Sequence, residues 1–192
     1  MFCTAVLLAA GRGRRFDPAG VHNKLLQYLP SGEPVALQAA RHLATDRNHL
    51  LVVLHADAHT LRQLFESNGF ATTVCVDADA GMGYSLAHGV RQSAEANGWI
   101  IGLADMPQVQ ASTIAALDAA IQGGADIAVP VYQQLRGNPV AFSRKYRDTL
   151  LQLQGDRGAR HLLLTEEVTE IVVDDAGIFF DIDSPLDLQN LA

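Results

Sequence analysis

Cysteine is nearly absent from this sequence: Cys3 and Cys75 stand far apart and form neither a metal-type nor a redox-type pair. That excludes a disulfide scaffold, and two buried free thiols suit a reducing compartment. Long apolar runs are missing as well. No stretch approaches the roughly eighteen residues that a membrane span needs, and no basic segment precedes the first apolar run, so neither a membrane anchor nor a signal peptide is expected and the reading is cytoplasmic. A basic excess is also lacking. Fourteen Lys and Arg against twenty-one Asp and Glu leave a net charge of −7, which argues against a general nucleic-acid surface. A Walker Gly-Lys-Ser/Thr and a G-x-S-x-G elbow are both absent. The seven histidines read as surface or core residues rather than zinc ligands.

What remains is ordinary globular composition, 48% hydrophobic and 18% charged over 192 residues, enough for a real core and read as one domain, 1–192. Apolar runs at Cys3–Ala9, Leu50–Leu54, Thr72–Val76, Trp99–Leu103 and Ile127–Val131 predict strands. Helical spacing over Val35–Leu43, Ala58–Phe65, Ser85–Ala96 and Ile114–Ile121 fills the gaps between them. Strands alternating with helices imply right-handed crossovers, a mostly parallel sheet and a three-layer α/β/α sandwich. After Pro139 the rhythm changes: Phe142–Leu153 and Ala159–Thr165 read as helices, Glu170–Val173 as a strand and Pro185–Leu191 as a closing helix.

Ligands of an open parallel sheet bind beyond the carboxyl ends of its strands, and several unusual segments fall there. LLAAGRGRRF, Leu7 to Phe16, follows the first strand. Gly11 and Gly13 let backbone amides approach a phosphate, and Arg12, Arg14, Arg15 and Lys24 supply cations suited to phosphate oxygens; a solvated basic loop is the plain alternative. A Rossmann fingerprint fails because Phe16 occupies the place of its third glycine. Asp105, in LADMP, emerges after the fourth strand, either as a magnesium ligand or as a cap of the next helix, a role that Ser112 could fill instead. In DIDSP, Asp181 and Asp183 share a side if the segment is extended, and Asp183 could complete a metal site with Asp105. Ser184 and Pro185 read as an N-cap and first helical residue. In Gly81-Met82-Gly83-Tyr84-Ser85-Leu86, Ser85 caps a helix or meets a ribose or base. Gly137-Asn138-Pro139 and the run Gly155–Arg160 lie where an acceptor would be distinguished; Arg157 and Arg160 either hold its phosphate or are solvated.

LLAAGRGRRF with Lys24, GMGYSL, LADMP, GNPVAF, GDRGAR and DIDSPLDL, in that order, resemble the MobA-like nucleotidyltransferases, and among them the molybdenum cofactor cytidylyltransferases. The resemblance covers almost the whole chain. It implies a Rossmann-like fold of the nucleotide-diphospho-sugar transferase type, with Leu8, Ala9, Ala10, Gly11, Gly13, Lys24, Gly81 and Ser85 at the nucleotide. Arg15, Lys24 and Asp105 are then the catalytic groups, and Mg2+ lies between Asp105 and Asp183. A pterin phosphate is the acceptor, met by Gly137, Asn138, Pro139, Arg157 and Arg160, and a molybdoenzyme or its maturation factor is a further partner. Ala9-Ala10-Gly11 is similar to the CTP-using form, GTP-using relatives carrying glycine in place of Ala10. Two departures stand out: residues 16–23 form an insert before Lys24, and Asn138 stands where cytidylyltransferases often have histidine. Four alternatives stay open: a GTP-dependent molybdopterin guanylyltransferase, a different phosphate acceptor (a sugar 1-phosphate or methylerythritol phosphate), a non-catalytic nucleotide sensor, and a nicotinamide-dependent oxidoreductase.

Overall fold

The computed structural model describes residues 3–19, 22–45, 49–156 and 158–190. Strand β1 (Thr4–Ala9) is central, with parallel neighbours β2 (His49–His55) and β4 (Gly98–Leu103). Strand β3 (Ala71–Cys75) continues the parallel set beyond β2. The other half is mixed: β7 (Val140–Ser143) runs antiparallel to β4 and to β5 (Ile127–Tyr132). The short β6 (Leu135–Arg136) folds back on β5, and β8 (Thr169–Val172) lies parallel to β5. The order β3-β2-β1-β4-β7-β5 reverses direction at β1. The crevice beside β1 is therefore the switch point at which such sheets bind ligands.

Alternation along the strands builds the two cores. Ala5, Leu7 and Ala9 of β1 face one layer, where they meet helices α1 (Val35–Leu43), α2 (His59–Ser67) and α4 (Ala111–Gln122) through Ala36, Ala40, Leu61, Phe65 and Leu117. Val6 and Leu8 face the other, packed on α3 (Met82–Gln92), α5 (Arg147–Leu151) and α6 (Leu162–Thr165) through Leu86, Val90, Leu150 and Leu162. The expected three-layer α/β/α sandwich with a mostly parallel sheet is what forms. The closing helix α7 (Pro185–Gln189) begins at Pro185, as expected; Leu191, its expected end, lies outside the described residues.

Several boundaries differ from the sequence reading. Phe142 belongs to strand β7, where Val140 and Phe142 are buried in the second core and pair with β4; the helical pattern holds only from Arg147. The helix expected over 159–165 is one turn, Leu162–Thr165. Helix α3 starts at Met82, so Ser85 lies buried inside it and caps nothing. Helix α4 is capped by neither Asp105 nor Ser112. Its start is held from afar by Asp175, whose carboxylate accepts from the Gln110 N–H (2.8 Å) and the Thr113 hydroxyl (2.7 Å).

Candidate active site

The loop after β1 is fixed at both ends by the apolar core. The Leu8 carbonyl accepts from the Ala104 N–H at 3.1 Å, joining β1 to the segment that carries Asp105. Phe16 is buried among the first-core residues, and its N–H and that of Asp17 both return to the Gly13 carbonyl. The insert then turns on Asp17, whose carboxylate accepts from the N–H groups of Ala19 and His22. Asn23 caps a short 3₁₀ turn by accepting from Leu25 N–H (2.9 Å), and Lys24 opens that turn. Gly13 has φ +62°, in the left-handed region that favours glycine, and a Cβ there would lie 3.4 Å from Cγ of Lys24. That is ordinary contact with the lysine stem, so it is the backbone conformation that favours glycine at this position.

Lys24 Nζ donates to Asp105 Oδ2 at 2.6 Å and to Asp183 Oδ1 at 3.0 Å. Asp183 also accepts from Arg15 Nη1. These four residues come from the β1 loop, the end of β4 and the C-terminal segment, and they meet beside the switch point. The lysine side chain is 11% exposed and the two aspartates 22% and 27%. Burial by itself would lower the lysine's pKa; the combined attraction of Asp105 and then Asp183 outweighs it and holds the ammonium above its ordinary value. The aspartates are positioned by neighbours as well. Asp105 O accepts from Ile182 N–H at 2.9 Å, which lays the C-terminal segment across the end of β4. Buried Ile182 anchors that segment, and Asp181 on its other flank is exposed.

Asp187 completes the arrangement. Its carboxylate accepts from Asp183 N–H (3.0 Å), Ser184 N–H (2.7 Å) and Ser184 Oγ (2.9 Å). The Ser184 hydroxyl, then the two backbone donors, hold this carboxyl below its ordinary value. The signal for Asp187 in the sequence is Ser184-x-x-Asp187, which has the spacing of a capping box.

Arg12 leaves the cation cluster. Its Nε and Nη2 fork onto Asp79, both at 2.6 Å, in the turn before α3. His55, the last residue of β2, lies against the same carboxylate. His55 and His59 stand four residues apart, but one ends a strand and the other opens α2, so that spacing builds no shared helical face. Nothing in the sequence pointed to the Arg12–Asp79 pair, whose members are 67 residues apart.

Among the other expected residues, Gly81 has φ +127° and packs against Gly155, whose carbonyl accepts from Gly83 N–H at 2.8 Å. GMGYSL and the Gly155–Arg160 run therefore touch. Ala9 and Ala10 are buried at the end of β1. Gly137 packs on Ile178, and Asn138 N–H donates to the Ile178 carbonyl at 3.0 Å. Asn138 and Pro139 border an apolar cavity of about 20 Å³ with Leu7, Leu43 and Met106, room for one water and far below ligand size. Arg160 is exposed; Arg157 lies outside the described residues.

Two convergent carboxylates are a donor set that fits magnesium, which takes one or two carboxylates and completes its shell with phosphate oxygens and water; Lys24, which now bridges them, would have to give way to the ion. Among the described residues no group of three or more His, Cys, Asp or Glu gathers to hold a metal, so such an ion would share its shell with a substrate.

Residues 5–170 match the MobA-like NTP transferase domain. The chain is 31% identical to the purine catabolism protein PucB of Bacillus subtilis, over 96% of this chain and 93% of that one. The crystal structure of Rv0371c from Mycobacterium tuberculosis superposes with a TM-score of 0.79 at 28% identity, covering 100% and 97% of the two chains. The Rv0371c complex with manganese gives 0.76 at 29% identity, covering 100% and 98%. A molybdopterin-guanine dinucleotide biosynthesis protein A from Archaeoglobus fulgidus shares the fold, with a TM-score of 0.70 at 18% identity over 98% and 96%.

Proposed function

The chain belongs to the MobA-like NTP transferase family and is a nucleotidyltransferase; from that premise we propose that it transfers CMP from CTP to the phosphate of molybdopterin, with release of pyrophosphate. The observation that carries this reading is the convergence of Lys24, Arg15, Asp105 and Asp183 beside β1. In it, a phosphomonoester oxygen of the acceptor attacks the α-phosphorus in line. No general base is needed, because a phosphate monoester is already largely ionised at neutral pH. The protein's contribution is positioning and charge neutralisation.

Arg15, Lys24 and the amides around Gly11 and Gly13 stabilise the departing pyrophosphate. Asp105 and Asp183 would hold Mg2+, which supplies charge neutralisation on the phosphates; the manganese complex of Rv0371c supports a divalent ion. Lys24 then exchanges its carboxylate partners for phosphate oxygens. Leu8, Ala9 and Ala10, with Gly81 and Ser85, flank the nucleoside, the Ala10 methyl disfavouring a purine. Gly137, Asn138, Pro139 and Arg160, with Arg157 of the same run, are assigned to the acceptor. The chain acts as one domain, 1–192, in the cytoplasm, and a molybdoenzyme or its maturation factor receives the product. No helix among the described residues is long and apolar enough to cross a membrane.

Pyrophosphate release, measured across CTP, GTP, ATP and UTP with molybdopterin, a sugar 1-phosphate and methylerythritol phosphate, tests the assignment. CTP with molybdopterin is expected to give the highest turnover. Preference for GTP would move the base assignment, preference for another acceptor would move the substrate, and CTP binding without turnover on any acceptor would favour a sensor.

A further inference from the structure

The glycine loop is tied down by a contact outside the catalytic cluster. Arg12 sits between Gly11, where a Cβ would meet nothing within 4 Å, and Gly13, with its positive φ. Two glycines around one residue make an entropically costly segment to hold still. Across the strand ends, Asp79 takes the Arg12 fork through both carboxylate oxygens at 2.6 Å. His55 backs the pair. Its Nδ1 accepts the Asp57 N–H at 3.1 Å, and its Nε2 lies 3.1 Å from Asp79 Oδ2 and 2.9 Å from Arg12 Nη2, against both members of the pair. The His55 side chain is only 12% exposed, so this wall is firm, and Asp57 adds a second carboxylate 3.6 Å from Arg12 Nη2. The Arg12 hydrogen bond, then that of His55, keep the Asp79 carboxyl far below its ordinary range, so it is an anion at every working pH.

Asp79 stands two residues before Gly81, the residue that immediately precedes α3. The pair therefore joins the glycine loop to the start of α3, the two backbone elements assigned above to the nucleotide. We propose that Asp79 is a positioning residue: with His55 it holds Arg12 as a staple, so that Arg12 orders the phosphate-binding loop instead of contacting phosphate itself. The inference rests on the assignment of that loop to the triphosphate.

A double-mutant cycle tests it, with magnesium–CTP as the probe, read by calorimetric binding and by steady-state turnover. Arg12→Ala, Asp79→Ala and the double variant should each weaken CTP binding by the same factor, about ten-fold for the ordering of roughly one residue. KM should rise while kcat at saturating CTP stays within about two-fold, and thermal midpoints should fall by only a few degrees, the loop ordering that the folded state gives up. Asp79→Asn, which keeps the side chain's shape but not its charge, should fall between. Three outcomes overturn the proposal: tighter CTP binding in Asp79→Ala, which would make Asp79 a competitor of phosphate for Arg12; additive losses in the double variant, which would make Arg12 a direct ligand; and no change in any variant. Failure of the wild type to bind magnesium–CTP would instead strike the loop assignment.

Discussion

Replacing Lys24 with methionine keeps the length of the side chain and removes the charge between two carboxylates. The wild-type ammonium makes two charge-assisted hydrogen bonds, at 2.6 and 3.0 Å, from a side chain that is 11% exposed. Hydrogen bonds to charged groups contribute about 1.5–3 kcal/mol each. Both aspartates keep some access to water, and Arg15 still holds Asp183. The expected loss is therefore about 2 kcal/mol in total, which lowers the thermal midpoint of a chain of this size by roughly 4–8 °C. Magnesium should restore more stability to the variant than to the wild type, because the carboxylates no longer have a resident cation. The pH dependence has a fixed sign. A lysine whose pKa rises on folding stabilises fully below the ordinary value of 10.5 and loses that contribution as pH climbs past it. The wild type should lose its advantage over Lys24→Met above that point. Turnover should fall by about 10²–10³ through the lost contact to the leaving group. Calorimetric scans from pH 7 to 11, with and without magnesium, together with a pyrophosphate assay, read all of this. An unchanged midpoint and undiminished turnover would refute the bridging role.

Two further outcomes follow from single contacts. Ala10→Gly removes a buried methyl at the end of β1; if that methyl crowds a purine, the ratio of kcat/KM for CTP over GTP should fall about ten-fold, the scale of relieved overpacking, as competition between the two nucleotides would measure. Gly81→Ala puts a Cβ 2.3 Å from the Gly155 carbonyl carbon at a φ of +127°; urea unfolding should show a loss of roughly 2–4 kcal/mol.

The sequence was most readable where periodicity and burial coincide. Runs such as Leu50–Leu54 and Trp99–Leu103 could be little but buried parallel strands, and the shared edge of Asp105 and the glycine loop followed from topology. Strand β7 is hidden in the sequence because Val140–Ser143 directly precedes a helical stretch and a four-residue strand has too short a period to separate from it. The insert before Lys24 made the lysine's place hard to trace along the chain. In space Phe16 enters the core, the loop turns on Asp17, and Lys24 still returns to Asp105. Contacts such as Arg12 with Asp79, or Asp175 with the start of α4, join residues more than sixty positions apart. No local pattern encodes them; only the sheet order brings them together.

The most direct measurement is magnesium-dependent pyrophosphate release from CTP by Asp105→Asn, on protein shown by circular dichroism to keep the wild-type fold. This substitution retains the side chain's shape and removes the charge that faces Lys24 and would hold the metal ion. Turnover is expected to fall by about 10²–10³, and added magnesium is not expected to restore it. Undiminished magnesium-dependent turnover in that variant would contradict the metal assignment of Asp105.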